Sequence, residues 1–253
     1  MSDPDLVAVE RTDLETEIRR NRHQASTAVL AHAALVFVVG AIVGVVVGIA
    51  ASSVVGWIVV GLALVVAVGF AWFARNRADA VALSIVGAVP ADGSEHRRYH
   101  NLVEGLCVGA GLPKPRLFVV DDPAPNAFVV GRDPEHAALV VTSGLLATTS
   151  RLELEGVLAL ELAHVKNFDV AVQTVAVVAV GSRRSLSRRD ESAADAAAVA
   201  VTRYPPGLAA ALRTLDAAGP VGGGHRATAH LWIVPPVDPR PSLLERIALL
   251  EAM

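Results

Sequence analysis

From position 23 to position 74 the chain carries no Asp, Glu, Lys or Arg, a run of 52 residues closed by Arg22 on one side and Arg75 on the other. One membrane-crossing helix needs about 20 apolar residues, so the run is long enough for two. The break falls at Ala51-Ser52-Ser53. This predicts helices over 28–50 and 54–74 joined by a very short turn, with Trp72 and Phe73 at the exit interface. Gly40, Gly44 and Gly48 recur at every fourth position and smooth one face of the first helix for close contact with the second. A pair of buried core helices is the competing reading, and it is disfavoured because soluble cores rarely run so far without a charge.

Beyond residue 79 the pattern breaks into shorter segments. Residues 99–109 read as a helix stopped at Gly111-Leu112-Pro113, and 116–120, 127–130 and 137–142 read as short strands between Asp/Pro/Gly loops. From Ser143 onward the pattern is helical. Ser150 followed by Glu153 is a capping-box signature that opens a helix running to about Asn167. Further helices are predicted over 189–202, 207–218 and 243–252, with loops at 219–224 and 235–241. The chain thus divides into a leader over 1–27, a transmembrane hairpin over 28–74 and a domain over 79–253, whose 175 residues suffice for one core. The fold class is α+β, mainly α.

Composition agrees. With 53% hydrophobic residues, 19% charged residues and a mean hydropathy of +0.49, neither a disordered chain nor an ordinary soluble domain fits. Lys+Arg number 22 against 25 Asp+Glu, a balance of −3 without a basic cluster, which removes the footprint of a nucleic-acid binder. Cys107 is the single cysteine, so no intrachain disulfide forms and it reads as a buried small hydrophobe. Arg19, Arg20 and Arg22 precede the apolar run and Arg75 and Arg77 follow it. The positive-inside rule then puts both flanks on the cytoplasmic side of the cell membrane, giving two spans with both termini cytoplasmic. An apolar stretch that starts this late, behind an acidic leader, is not a cleaved signal peptide.

Candidate chemistry sits on the helix that Ser150 opens. Between Val157 and Val165 only Glu161 and His164 are polar, and polar groups on a buried helix need partners or a task. One reading is a mutually satisfied Glu–His pair at i, i+3. The other is zinc hydrolysis, in which two His at i and i+4 share a helix face and a Glu after the first serves as base. Here the i position is Leu160, so spacing alone leaves the zinc reading weak.

Four stretches raise it. Asp122-Pro123-Ala124-Pro125-Asn126-Ala127-Phe128, the segment from Glu155 through Leu160-Glu161-Leu162-Ala163-His164-Val165, Glu191-Ser192-Ala193-Ala194-Asp195, and Arg226-Ala227-Thr228-Ala229-His230-Leu231 occur in this order. Together they resemble the HtpX-like membrane zinc metallopeptidases, relatives of the type I CAAX prenyl proteases. The resemblance implies a zincin-like (gluzincin) domain with a small β-sheet behind the hairpin. It further implies a zinc cofactor, a polypeptide substrate or bound protein client, and a bilayer around the anchor. It assigns His164 as the second zinc-ligand His, Glu161 as the base acting on zinc-bound water and Glu191 as the carboxylate ligand. Asp195 would support the site. Asn126, Ala127 and Phe128 match the edge-strand segment along which a peptide would add as a strand.

Three departures cut against activity. Leu160 stands at the first zinc-ligand position, where a leucine offers no lone pair, so zinc binding is expected to be weak or absent. Arg240 stands where the family has a His that helps to stabilise the oxyanion; an arginine can still donate there, and Arg246 is retained. The apolar stretch 170–181, where many relatives carry further membrane sequence, spans 12 residues and contains Gln173, too short to cross. His225 and His230 lie in the right half of the domain to substitute for a lost ligand, but the resemblance implies a His230 segment that relatives carry without using it as the primary ligand, and His225 follows a glycine run; His96, His100 and His136 have no ligand-like spacing and read as surface residues. Two functions follow: an impaired homologue that keeps the fold, favoured by Leu160 and Arg240, and an active endopeptidase with a non-standard ligand set.

Overall fold

The charge-free run folds as two long helices, α1 (Pro4–Ala50) and α2 (Ser53–Ile85), in a computed structural model that describes residues 4–178, 191–222, 225–236 and 243–253. Ser52 caps α2, its hydroxyl accepting from the Val55 amide at 3.3 Å, which explains the break between the helices. The two helices run antiparallel along the glycine stripe. A Cβ added at Gly44 would come within 2.6 Å of Val60, and one at Gly56 within 2.7 Å of both the Gly44 carbonyl and the Gly48 Cα, so here the backbones meet as closely as glycine allows. The helices continue past the apolar run at both ends, α1 back into the leader and α2 through Arg75 and Arg77 to Ile85.

Large apolar side chains point outward from this hairpin, among them Leu30 at 65% exposure, Ile49 at 84% and Trp57 at 75%. Core helices bury such residues; an outward apolar surface of this extent needs a non-aqueous neighbour.

The remaining elements are β1 (Val89–Pro90), α3 (Arg97–Ala110), β2 (Arg116–Val120), β3 (Ala127–Val130), β4 (Ala138–Thr142), α4 (Ser143–Thr148), α5 (Arg151–Lys166), α6 (Asp169–Val178), α7 (Glu191–Thr202), α8 (Pro205–Ala218) and α9 (Leu243–Glu251). The predicted strands and helices agree closely with these, except that β1 and a 3-10 turn at Pro134–His136 carried no sequence signal. The stretch after α5 is the helix α6. Helix α8 starts two residues early because Pro205 suits the first turn, where no amide donor is needed.

The sheet order is β1-β2-β4-β3, with β2 and β4 parallel and the other pairs antiparallel. Alternation sends Ala127, Val129, Leu139 and Val141 toward α3 and α5, and Phe128, Val130, Ala138 and Val140 toward the end of α2, Val177 of α6 and the segment carrying Leu231 and Trp232. Both faces are covered, so β3 and β4 are buried at every residue. Helix α5 is apolar nearly all round because α3, α7, α8 and β3 enclose it. Its Gly156 lets α8 approach until an added Cβ would lie 2.8 Å from the Leu208 nitrogen. Cys107 is buried among the apolar residues, and burial pushes its thiol up, as expected of an inert cysteine.

Candidate active site

The capping box predicted at Ser150 is present in full. The Ser150 hydroxyl accepts from the Glu153 amide at 3.3 Å, and the Glu153 carboxylate accepts from the Ser150 amide at 2.7 Å. This fixes where α5 begins, and about three to four turns later its last third presents Glu161 and His164, at 0% and 1% exposure, toward α7.

His164 is oriented from below. Its Nδ1 lies 3.2 Å from Asp169 Oδ2, so Nδ1–H donates to the carboxylate and the ring's other nitrogen, Nε2, is turned away from Asp169. Nε2 is buried and makes no hydrogen bond among the described residues; Glu191 Oε2 stands 3.9 Å away. Asp169 reaches this place through Phe168, whose φ of 60° turns the chain sharply between α5 and α6. Asp169 is itself held by the anchor helix: Asn21 of α1, buried, donates to Asp169 Oδ1 at 2.6 Å and to the Asn167 carbonyl at 3.0 Å. Neither Asp169 nor Asn21 figured among the sequence candidates, although a carboxylate five residues past His164, at the head of an apolar run, was the available signal.

Glu191 and Asp195 lie four residues apart on α7 and share one arginine. Arg246 of α9 bonds both oxygens of Asp195, at 2.7 and 2.5 Å, and its Nη1 lies 3.0 Å from Glu191 Oε2. Burial works against the Arg246 charge, but the Asp195 bonds and the Glu191 field outweigh it and hold the guanidinium above its ordinary value. Burial raises the Asp195 carboxyl against the pull of Arg246. On the other side of Glu161, burial and then the Glu161 charge push the Tyr99 phenol well up, and its hydroxyl donates to the Leu139 carbonyl at 2.9 Å.

The structure therefore brings together Glu161, His164, Glu191, Asp195 and Arg246. Leu160 is fully buried in the apolar core, one residue before Glu161. Arg240 lies outside the described residues. The other histidines are engaged elsewhere: His230 Nε2 lies 2.9 Å from the Gln173 carbonyl, and His225 Nδ1 accepts from the Ala227 amide at 3.1 Å.

Asn126, Ala127 and Phe128 do lie at the sheet edge, since β3 is the terminal strand, but all three are at 0% exposure. The chain's own segment covers them. The Ile233 amide donates to the Ala127 carbonyl at 3.3 Å, Asn126 exchanges bonds with the backbone of Val234 at 2.8 and 3.3 Å, and the Phe128 ring packs edge-on against Trp232 at 4.6 Å.

A catalytic zinc centre takes three protein donors and keeps one open position. Here His164 Nε2 and Glu191 face each other as two such donors, and no group of three or more His, Cys, Asp or Glu side chains converges on a metal position among the described residues. The side chain ahead of Glu161 is hydrocarbon, and a guanidinium already contacts the Glu191 carboxylate. Among the described residues, this donor set does not complete a three-ligand zinc centre.

Comparison with known proteins gives the setting. Residues 93–182 match the model of peptidase family M48, a stretch that contains α3, strands β2, β3 and β4, α4, α5 and α6. The chain is 36% identical to the protease HtpX homolog of Dictyoglomus thermophilum, over 72% of this chain and 78% of that protein, and 35% identical to that of Tropheryma whipplei, over 75% and 84%. With the protease HtpX homolog of Limosilactobacillus fermentum it shares 31% identity over 95% of its own length and 100% of the relative's. The last match includes the helical hairpin as well as the domain carrying Glu161 and His164, and the chain belongs to the HtpX-like members of peptidase family M48.

Proposed function

We propose that this protein is a membrane-anchored HtpX-like homologue with impaired peptidase chemistry, a pseudoprotease that keeps the fold as a binding or regulatory module. Leu160 carries the reading. It stands where the family's first ligand imidazole is expected, fully buried, with no lone pair to offer. Losing a residue that merely supports a metal ligand costs about 10–100-fold in affinity or activity, and losing a ligand costs more. Zinc is accordingly held weakly or not at all, with Arg246 supplying positive charge to Glu191 and Asp195. Glu161 retains the position of a general base, without an activated water to deprotonate.

The anchor is a two-span hairpin, with both termini and residues 79–253 on the cytoplasmic side. A polypeptide client would pair along Asn126–Phe128 only by taking the place of the 231–234 segment, whose amide already bonds the Ala127 carbonyl. The open Nε2 of His164 is the observation that favours the second reading, an active endopeptidase with a non-standard ligand set. Casein digestion by the purified full-length protein, with zinc added and with a chelator, separates the two. No cleavage above the chelated control is expected; zinc-dependent, chelator-sensitive cleavage would overturn the impaired reading.

A further inference from the structure

One cleft is unrelated to the peptidase machinery. It opens where α1, α2, α6 and the turn after β3 meet. Its walls are of two kinds. Val29 and Val175 belong to a buried apolar cluster that joins α6 to the hairpin, while Arg22, Arg75 and Arg132 contribute cations, opposed by one carboxylate, Asp133.

The depth of the cleft is fixed by the sequence. Arg22 and Arg75 are the charges that bound the 52-residue apolar run on either side, so the cleft lies at the level where the hydrocarbon ends on both helices. That is the depth of a lipid phosphate. The cations are also available. Arg75 is exposed and makes no hydrogen bond or ion pair among the described residues. Arg132 is braced by Asn76 at 2.5 Å, His136 at 2.6 Å and Asp133 at 3.3 Å, which uses three of its five N–H donors. Asp133 is occupied in turn by His136, at 2.5 Å, so its charge is partly spent.

We infer that this cleft is a binding site for the headgroup of an anionic phospholipid, with the phosphate on Arg75 and Arg132 and the acyl chain against the α1–α6 seam beside Val29 and Val175. A guanidinium pair matches phosphate geometry, and basic pockets between membrane helices on the cytoplasmic side are where acidic headgroups collect. The third cation links the site to the domain. Arg22 stacks over the Phe168 ring at 4.8 Å, and Phe168 is the turn residue that delivers Asp169 to His164, so an occupied cleft steadies the seam on which the imidazole depends.

The inference rests on the hairpin being membrane-embedded, and its test keeps the two apart. Alkaline carbonate extraction of membranes from expressing cells decides the first point: release of the full chain into the supernatant would sink the hairpin reading. The second point uses detergent-purified full-length protein, exposed to equimolar phosphatidylglycerol and phosphatidylcholine and read by native mass spectrometry. Phosphatidylglycerol adducts should exceed phosphatidylcholine adducts by about fivefold for each arginine engaged, from the attraction of one basic residue to an acidic headgroup. Arg75→Gln, whose side chain has no structural bond to lose, should remove about one such factor, and Arg75→Gln with Arg132→Gln the rest. Arg97→Gln with Arg151→Gln removes the same charge far from the cleft and should change nothing. Equal retention of the two lipids, selectivity that survives Arg75→Gln, or displacement of the lipid by millimolar inorganic phosphate alone would overturn the proposal.

Discussion

At the scale of single residues, the site is organised by one imidazole and what holds it. Asp169→Ala leaves the buried Nδ1–H of His164 without its acceptor, a loss of about 1–3 kcal/mol. A lowered unfolding midpoint checks this, and Asn21→Ala should reproduce part of it, because Asn21 is bonded to the same carboxylate. The pair Glu161 and His164 was legible in the sequence as the polar interruption of an apolar helix. Glu191, Asp195 and Arg246 were legible only through the resemblance, since two carboxylates on one helix and an arginine on another, 51 residues from Asp195, give no local pattern that marks a site. Asp169 and Asn21 were not found. Their meeting depends on the positive φ at Phe168 and on the path of α1 past α6, neither of which a side-chain pattern encodes.

Among elements, the hairpin and the site helix offer the sharpest tests. Gly56→Leu forces a side chain into the Gly44 and Gly48 backbone and should cost about 1–3 kcal/mol of hairpin stability, whereas Gly61→Ala meets nothing within 4 Å and should be neutral or better. Thermal unfolding in detergent distinguishes them. For α5, Ser150→Ala should cost about 1 kcal/mol. The same cap gives a pH dependence. Burial tends to raise the Glu153 carboxyl, but its bonds to Ser150 prevail and hold it below the ordinary value of 4.5. A depressed carboxylate stabilises the fold above that value and loses its contribution as pH falls through the lower native one. Amide protection in the first turn of α5, taken relative to the intrinsic exchange rate at each pH, should therefore fall on acidification below about 4.5, and not in Glu153→Gln. Helix ends of this kind were readable because cap and turn chemistry is local. β1 was not, because its two residues are defined by pairing with β2 rather than by their own sequence.

For the molecule as a whole, the anchor and the domain form one unit. Helix α6, too short to cross a bilayer, is buried between the ends of α1 and α2 and the sheet, and Asn21 ties the anchor to Asp169. The membrane class was legible at once from a charge-free run, since soluble cores rarely extend so far without a charge. What occupies the sheet edge was not, because the 231–234 segment is remote in sequence from β3. The central claim is that a leucine at position 160 leaves His164 and Glu191 one donor short of a metal site. Its most direct test is the zinc content of the purified full-length protein after equilibration with zinc and dialysis, beside that of Leu160→His. Far less than one zinc per chain, rising toward one in Leu160→His, is the expected result. A full zinc equivalent in the unmodified chain would contradict it.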